Sequence, residues 1–127
     1  MTNLEIVQTF YRAAATRDMA TATGLLHPDI VFGQTPALPW GGEYRGLAGV
    51  QEFFGKLYGS IQSTVEMTEF IDAAESVVAI GWTRGTVNGS GAPFDIRIAH
   101  VLTLEGGKIV SFRPYINTPG MLAALAG

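Results

Sequence analysis

The sequence predicts an α+β domain with helices on one face of a largely antiparallel sheet, and three observations carry that reading. Apolar residues recur at helical spacing at the start of the chain and again over 47–58. The character then turns to β, with alternating or β-rich runs over 64–71, 77–87, 94–104 and 108–115. Asn88-Gly89 and Gly106-Gly107 punctuate the last three runs as hairpin turns. Helices followed by consecutive antiparallel strands is the order of an α+β fold.

The elements follow in turn. Thr2 with Glu5 forms a capping box, and Leu4, Val7, Phe10, Tyr11 and Ala14 continue on one helical face. Asp18 caps a second, short helix running through Leu25-Leu26, which Pro28 ends by disfavouring helical geometry at His27. At that helix end His27 is expected to cap near the negative pole. Ile30-Val31-Phe32 reads as a short strand. Pro36, Pro39, Gly41, Gly42 and Gly46 are too many breakers for a regular element, so 33–46 is expected to be an ordered flap or rim on which Leu38, Trp40 and Tyr44 pack. Val50, Phe53, Phe54 and Leu57 define the third helix. After the strands, Thr118 can cap a tail that has Pro119 at its first helical position.

Composition narrows the function. With 127 residues, 47% of them hydrophobic, one domain over 1–127 with a substantial core is expected. A net charge of −3 with eight scattered basic residues argues against nucleic acid. The first residues lack a signal-peptide pattern, and no apolar run approaches the ~18 residues of a membrane span. The chain has no cysteine, which suits a reducing compartment, and a cytoplasmic protein is expected. Its two histidines, His27 and His100, lie too far apart for a metal-site spacing, so no metal or cofactor is expected.

Four motifs in order carry a family resemblance: Phe10-Tyr11-Arg12-Ala13-Ala14 with Arg17-Asp18, the run from Leu25 through His27-Pro28-Asp29 to Phe32, Tyr44-Arg45-Gly46, and Gly106-Gly107-Lys108-Ile109-Val110. Over essentially its whole length the chain resembles the nuclear-transport-factor-2-like (NTF2-like) superfamily, in particular its SnoaL-like and ketosteroid-isomerase-related members. The resemblance implies a cone in which a curved sheet wraps three N-terminal helices around an internal apolar cavity. It also implies a homodimer through the other sheet face and a small apolar metabolite as ligand. Members include isomerases, epoxide hydrolases, cyclases and non-catalytic binding modules, so the fold leaves the activity open.

The inherited chemistries can be tested residue by residue. Under the resemblance the steroid-isomerase base falls on Gln34, its tyrosine on Phe10 and its second acid on Ala99, none of which can move a proton as required. A one-residue shift brings in Tyr11 and His100 instead. Epoxide hydrolases and polyketide cyclases call for a late-strand acid near Arg113-Pro114-Tyr115, yet no Asp or Glu occurs over 106–127, and Asn117 is a poor base.

The remaining candidates for catalysis are Asp95, Arg97 and His100. Asp95 and Arg97 share one strand face, which the resemblance turns toward the cavity with Ala99 and Val101. Alternation makes Phe94, Ile96, Ile98, Leu102 and Leu104 the more apolar face, and covering both faces, one by helices and one by a second subunit, reconciles the two. There Asp95-Arg97 is either a polarising pair at the cavity mouth or an ion pair at the rim. His100 is a general base working with Tyr115, or else an interface histidine. Phe10, Gln34, Trp40, Phe53, Trp82, Ala99 and Phe112 are the expected ligand contacts, with Gln34 orienting a polar atom and, in a non-catalytic binding protein, Trp40 as a lid. The leading expectation is a small-molecule-binding protein of the isomerase, cyclase or lyase type acting on an apolar carbonyl compound; the rival is a non-catalytic ligand-binding or association module.

Overall fold

Thr2 and Glu5 exchange the two hydrogen bonds of a capping box, and α1 (Asn3–Ala15) starts where the sequence places it. The computed structural model describes residues 1–127. Asp18 caps α2 (Met19–Gly24) by accepting from Thr21 N. The remaining elements are β1 (Leu26–Gln34), β2 (Gly42–Arg45), α3 (Gly46–Ser60), β3 (Ile61–Ala73), β4 (Ser76–Val87), β5 (Pro93–Glu105), β6 (Lys108–Ile116) and α4 (Thr118–Ala126).

The six strands form one open sheet in the order β2-β1-β6-β5-β4-β3. Pairing from β3 through β6 is antiparallel, but β1 joins β6 in parallel, so the sheet is mixed. The sheet does not close, and β2 and β3 remain as edges. At Gly81 and Gly85 a Cβ would run into the backbone of Glu66 and Gln62 on β3, so only glycine permits that approach of the two strands.

Local expectations fail where tertiary pairing overrides them. The second helix stops at Gly24, short of Leu25-Leu26, because Leu26 is already buried and paired with Ile109. The strand expected at residues 30–32 therefore begins four residues early. It carries Pro28, which lacks an N–H, across a ladder irregularity between Leu26 and Val31. His27 is consequently in a strand and caps no helix; its Nδ1 accepts from Asp29 N at 3.0 Å. The flap over 33–46 holds Leu38, Trp40 and Tyr44 buried, yet its last residues form β2 against β1. The tail is a helix capped by Asn117, whose side chain accepts from Gly120 N, so Thr118 and Pro119 are its first two residues. Four helices are present, three before the long strands and one after them.

The core lies between the helices and one face of the sheet. Phe32 on β1 stacks on Phe112 of β6 at 4.5 Å, Phe53 of α3 meets Phe32 edge-on at 5.4 Å, and Phe10 of α1 approaches Phe112 at 6.1 Å. These rings occupy the space that the resemblance assigned to a deep apolar cavity. The two main hollows are at the surface instead.

Candidate functional site

Alternation along β5 decides which groups can meet a ligand inside. Phe94, Ile96, Ile98, His100, Leu102 and Leu104 are buried, whereas Asp95, Arg97, Ala99, Val101 and Thr103 are exposed or half-buried. The expected orientation of Asp95, Arg97 and Ala99 toward a cavity is therefore corrected. The apolar set is the one covered by helices, and its burial outweighs the register inferred from resemblance.

Asp95 and Arg97 do not pair with each other either. Asp95 Oδ1 accepts from Arg84 Nε at 2.9 Å, and Arg84 Nη1 donates to Glu66 at 2.9 Å. The Arg97 guanidinium lies 4.9 Å from the Trp82 ring centroid, on the same outer face. Trp82 and Ala99 thus lie opposite the core, away from Phe10, Gln34, Trp40, Phe53 and Phe112, which are buried within it.

His100 is on the inner face. Its partner is Tyr11 of α1, with the phenolic oxygen 2.6 Å from Nδ1 and the two rings nearly parallel. Tyr115 pairs with Ala99 and is largely exposed, so it does not serve His100 as expected. Phe112 meets the imidazole edge-on at 4.9 Å, and Phe70 flanks Tyr11 at 5.9 Å. Burial pushes the His100 imidazole down to about 3 and the Tyr11 phenol well above its ordinary value, so both are neutral at pH 7. The phenol is the better donor and the imine nitrogen the better acceptor. On that assignment Tyr11 O–H donates to Nδ1, and the ring proton sits on Nε2 as a second donor.

A slot opens nearby. The β1–β6 ladder ends at Phe32↔Phe112, just before Pro114, which has no N–H to extend it. Beyond that point the strands part around a hollow of about 300 Å³ lined by Gln34, Glu43, Arg113, Pro114, Ile116 and Thr118 among others. At its outer rim Arg113 donates to Glu43 at 3.1 Å. On its inner side Gln34 is buried, and its Oε1 is sealed from solvent without a hydrogen-bond partner. Pro114 is paired with His100 on β5, and continuing the β1–β6 register sets Gln34 level with Pro114. Gln34 and His100 therefore lie in one row of the inner face, with Pro114 between them.

Sequence reasoning found Gln34 and His100 but not what joins them. Tyr11 entered only through a one-residue shift, and its contact with His100 spans 89 positions. Nothing local in the sequence signals the Arg113–Glu43 pair or the role of Thr118 at the slot. No group of three or more His, Cys, Asp or Glu side chains is arranged to hold a metal ion.

A family model described as a SnoaL-like domain matches residues 7–112. No curated protein matches the chain. Among solved structures, an NTF2-like protein from Burkholderia thailandensis E264 is 28% identical with a TM-score of 0.91, covering 98% of each chain. An NTF2-like protein of unknown function from Burkholderia pseudomallei K96243 is 26% identical with a TM-score of 0.89, again over 98% of each chain. TerC, co-crystallised with polyporic acid, is 21% identical with a TM-score of 0.89 over 98% of each chain, a likeness that bears on the fold alone.

Proposed function

The chain belongs to the SnoaL-like domain family, and from that premise we propose that it binds a small, largely apolar, carbonyl-bearing metabolite that enters at the slot and reaches the Tyr11–His100 dyad by opening the aromatic packing around Phe112. The observation that carries this reading is the dyad itself. A buried imidazole whose Nδ1 is satisfied by a phenol presents Nε2–H as a fixed neutral donor in an apolar wall. A ligand carbonyl oxygen is its complement.

In an isomerase, cyclase or lyase of this kind, His100 Nε2–H would hold negative charge developing on the carbonyl oxygen, with Tyr11 fixing the ring. No carboxylate is buried on the inner face, where the polar residues are Gln34, Thr83 and His100. Proton abstraction by the protein therefore has no agent there, which favours either polarisation without a protein base or the second reading, a non-catalytic ligand-binding module. Asp95 and Arg97 have no part in this site. They belong to the outer face, where Ile71, Val78, Ile80, Trp82, Ala99 and Val101 surround half-buried or exposed apolar area. We read that face as the contact of a homodimer, each copy a single domain over 1–127, working in the cytoplasm.

The test uses 2-acetonaphthone as probe. Bound protein should lower its C=O stretching frequency, and His100→Leu should abolish the shift while Arg97→Ala leaves it intact. Absence of binding, or a shift that survives His100→Leu, removes this site from the function.

A further inference from the structure

We propose that Gln34 selects the ligand, and that it selects for a hydrogen-bond donor, a hydroxyl or N–H group at the end of an apolar body. This rests on the reading that a ligand enters at the slot and reaches the dyad, and it names what the other end of the ligand must carry.

Every buried side-chain nitrogen or oxygen is partnered or keeps solvent contact except one, Oε1 of Gln34. A sealed carbonyl without a donor destabilises the form that contains it. Neither neighbouring donor reaches it: the Thr118 hydroxyl points to Ile116 O at 3.5 Å, and the Arg113 guanidinium turns to Glu43 on the outer rim. A leucine or methionine would fill this position in a core of Phe32, Trp40 and Phe112 without that deficit. A polar group retained where an apolar one packs better is expected at a site of function. Gln34 also lies along the slot, with Pro114, Ile116 and Thr118, where the β1–β6 ladder ends.

A ligand hydroxyl that enters the slot and donates to Oε1, the amide turning toward the slot to meet it, removes the deficit, whereas an ether or carbonyl oxygen there sets acceptor against acceptor. The demands at the two ends of the row are therefore opposite. His100 offers a donor and Gln34 calls for one.

Two measurements on Gln34→Met, with Gln34→Leu as a second variant should the first fail to fold, test this. Thermal unfolding without ligand should shift upward, by about 3–10 °C for a chain of this size. Calorimetric titration of 2-naphthol and 2-methoxynaphthalene should show the naphthol binding at least tenfold tighter to the unaltered protein, with the ratio falling to near one in the variant. A ratio near one in the unaltered protein overturns the inference, as does a preference that survives the substitution, or a lowered melting temperature in both variants. If 2-acetonaphthone binds with its carbonyl shifted while the naphthol preference is absent, the donor selection fails alone. If none of the three probes binds, the site itself is wrong.

Discussion

The two faces of one sheet carry different polar side chains and put them to different use. Inside, His100 and Tyr11 are neutral, because burial penalises their charged forms. Outside, Glu66, Arg84 and Asp95 form a ladder of 2.9 Å contacts, with side chains 43–67% exposed. Solvent screens that ladder, and such pairs contribute ~0–1 kcal/mol each. Position relative to the helices decides whether a polar group is held neutral against the core or screened by solvent at a surface.

The largest effect that sharpens this contrast is expected at Phe32. Its ring is fully buried, stacked on Phe112 and met edge-on by Phe53 and Phe54. Phe32→Ala should lower stability by about 3–5 kcal/mol in urea unfolding, a large share of the ~5–15 kcal/mol typical of a domain. Arg97→Ala, which forfeits only an exposed contact with Trp82, should cost less than about 1 kcal/mol. Comparable losses would mean that the outer face carries folding energy in the single chain, and the distinction between faces would dissolve.

An intermediate effect belongs to pH. Unfolded, the His100 imidazole takes up a proton below its ordinary value of 6.5, whereas folded it resists protonation down to about 3. Between those values the unfolded state binds more protons. Stability contributed by this group is therefore complete above pH 6.5 and lost as pH falls toward 3, at up to about 1.4 kcal/mol per pH unit. Unfolding from pH 7.5 to 4.5 should show that slope, and the double variant Tyr11→Phe/His100→Leu should flatten it. A slope that persists in the double variant would place the titrating group elsewhere.

How much of this was legible beforehand depended on range. Thr2 with Glu5, Asp18 as a cap, and the glycine turn at 106–107 act over a few residues, and the starts of α1 and α2 and the β5–β6 hairpin lie where the sequence puts them. The four long antiparallel strands and the SnoaL-like family were equally readable. Leu26 defeated local reasoning because its partner, Ile109, lies on the last strand. The candidate site was half legible. Gln34 and His100 are readable as polar residues set among apolar ones, and alternation along β5 turns Phe94 to Leu104 inward, against the orientation that the resemblance implies for Asp95 and Arg97. The Tyr11 contact and the slot beside Pro114 are products of register between distant strands, which no local pattern encodes.

The smallest effect on folding should accompany the largest effect on assembly. Ile80 is half-buried on the outer face of β4, paired with Glu69 on one side and Ala99 on the other, with Val78 and Trp82 along its strand. A lysine there extends to solvent in the single chain and faces the carboxylate of Glu69, so Ile80→Lys should change unfolding by no more than about 1 kcal/mol. In a two-fold contact through this face the same ammonium is buried in both copies, at several kcal/mol each for desolvation. Light scattering should then find a dimer for the unaltered protein and a monomer for Ile80→Lys, with binding of 2-acetonaphthone retained by the monomer. A variant that stays dimeric would move the interface off this face, and one that unfolds would show that the outer apolar area is core after all.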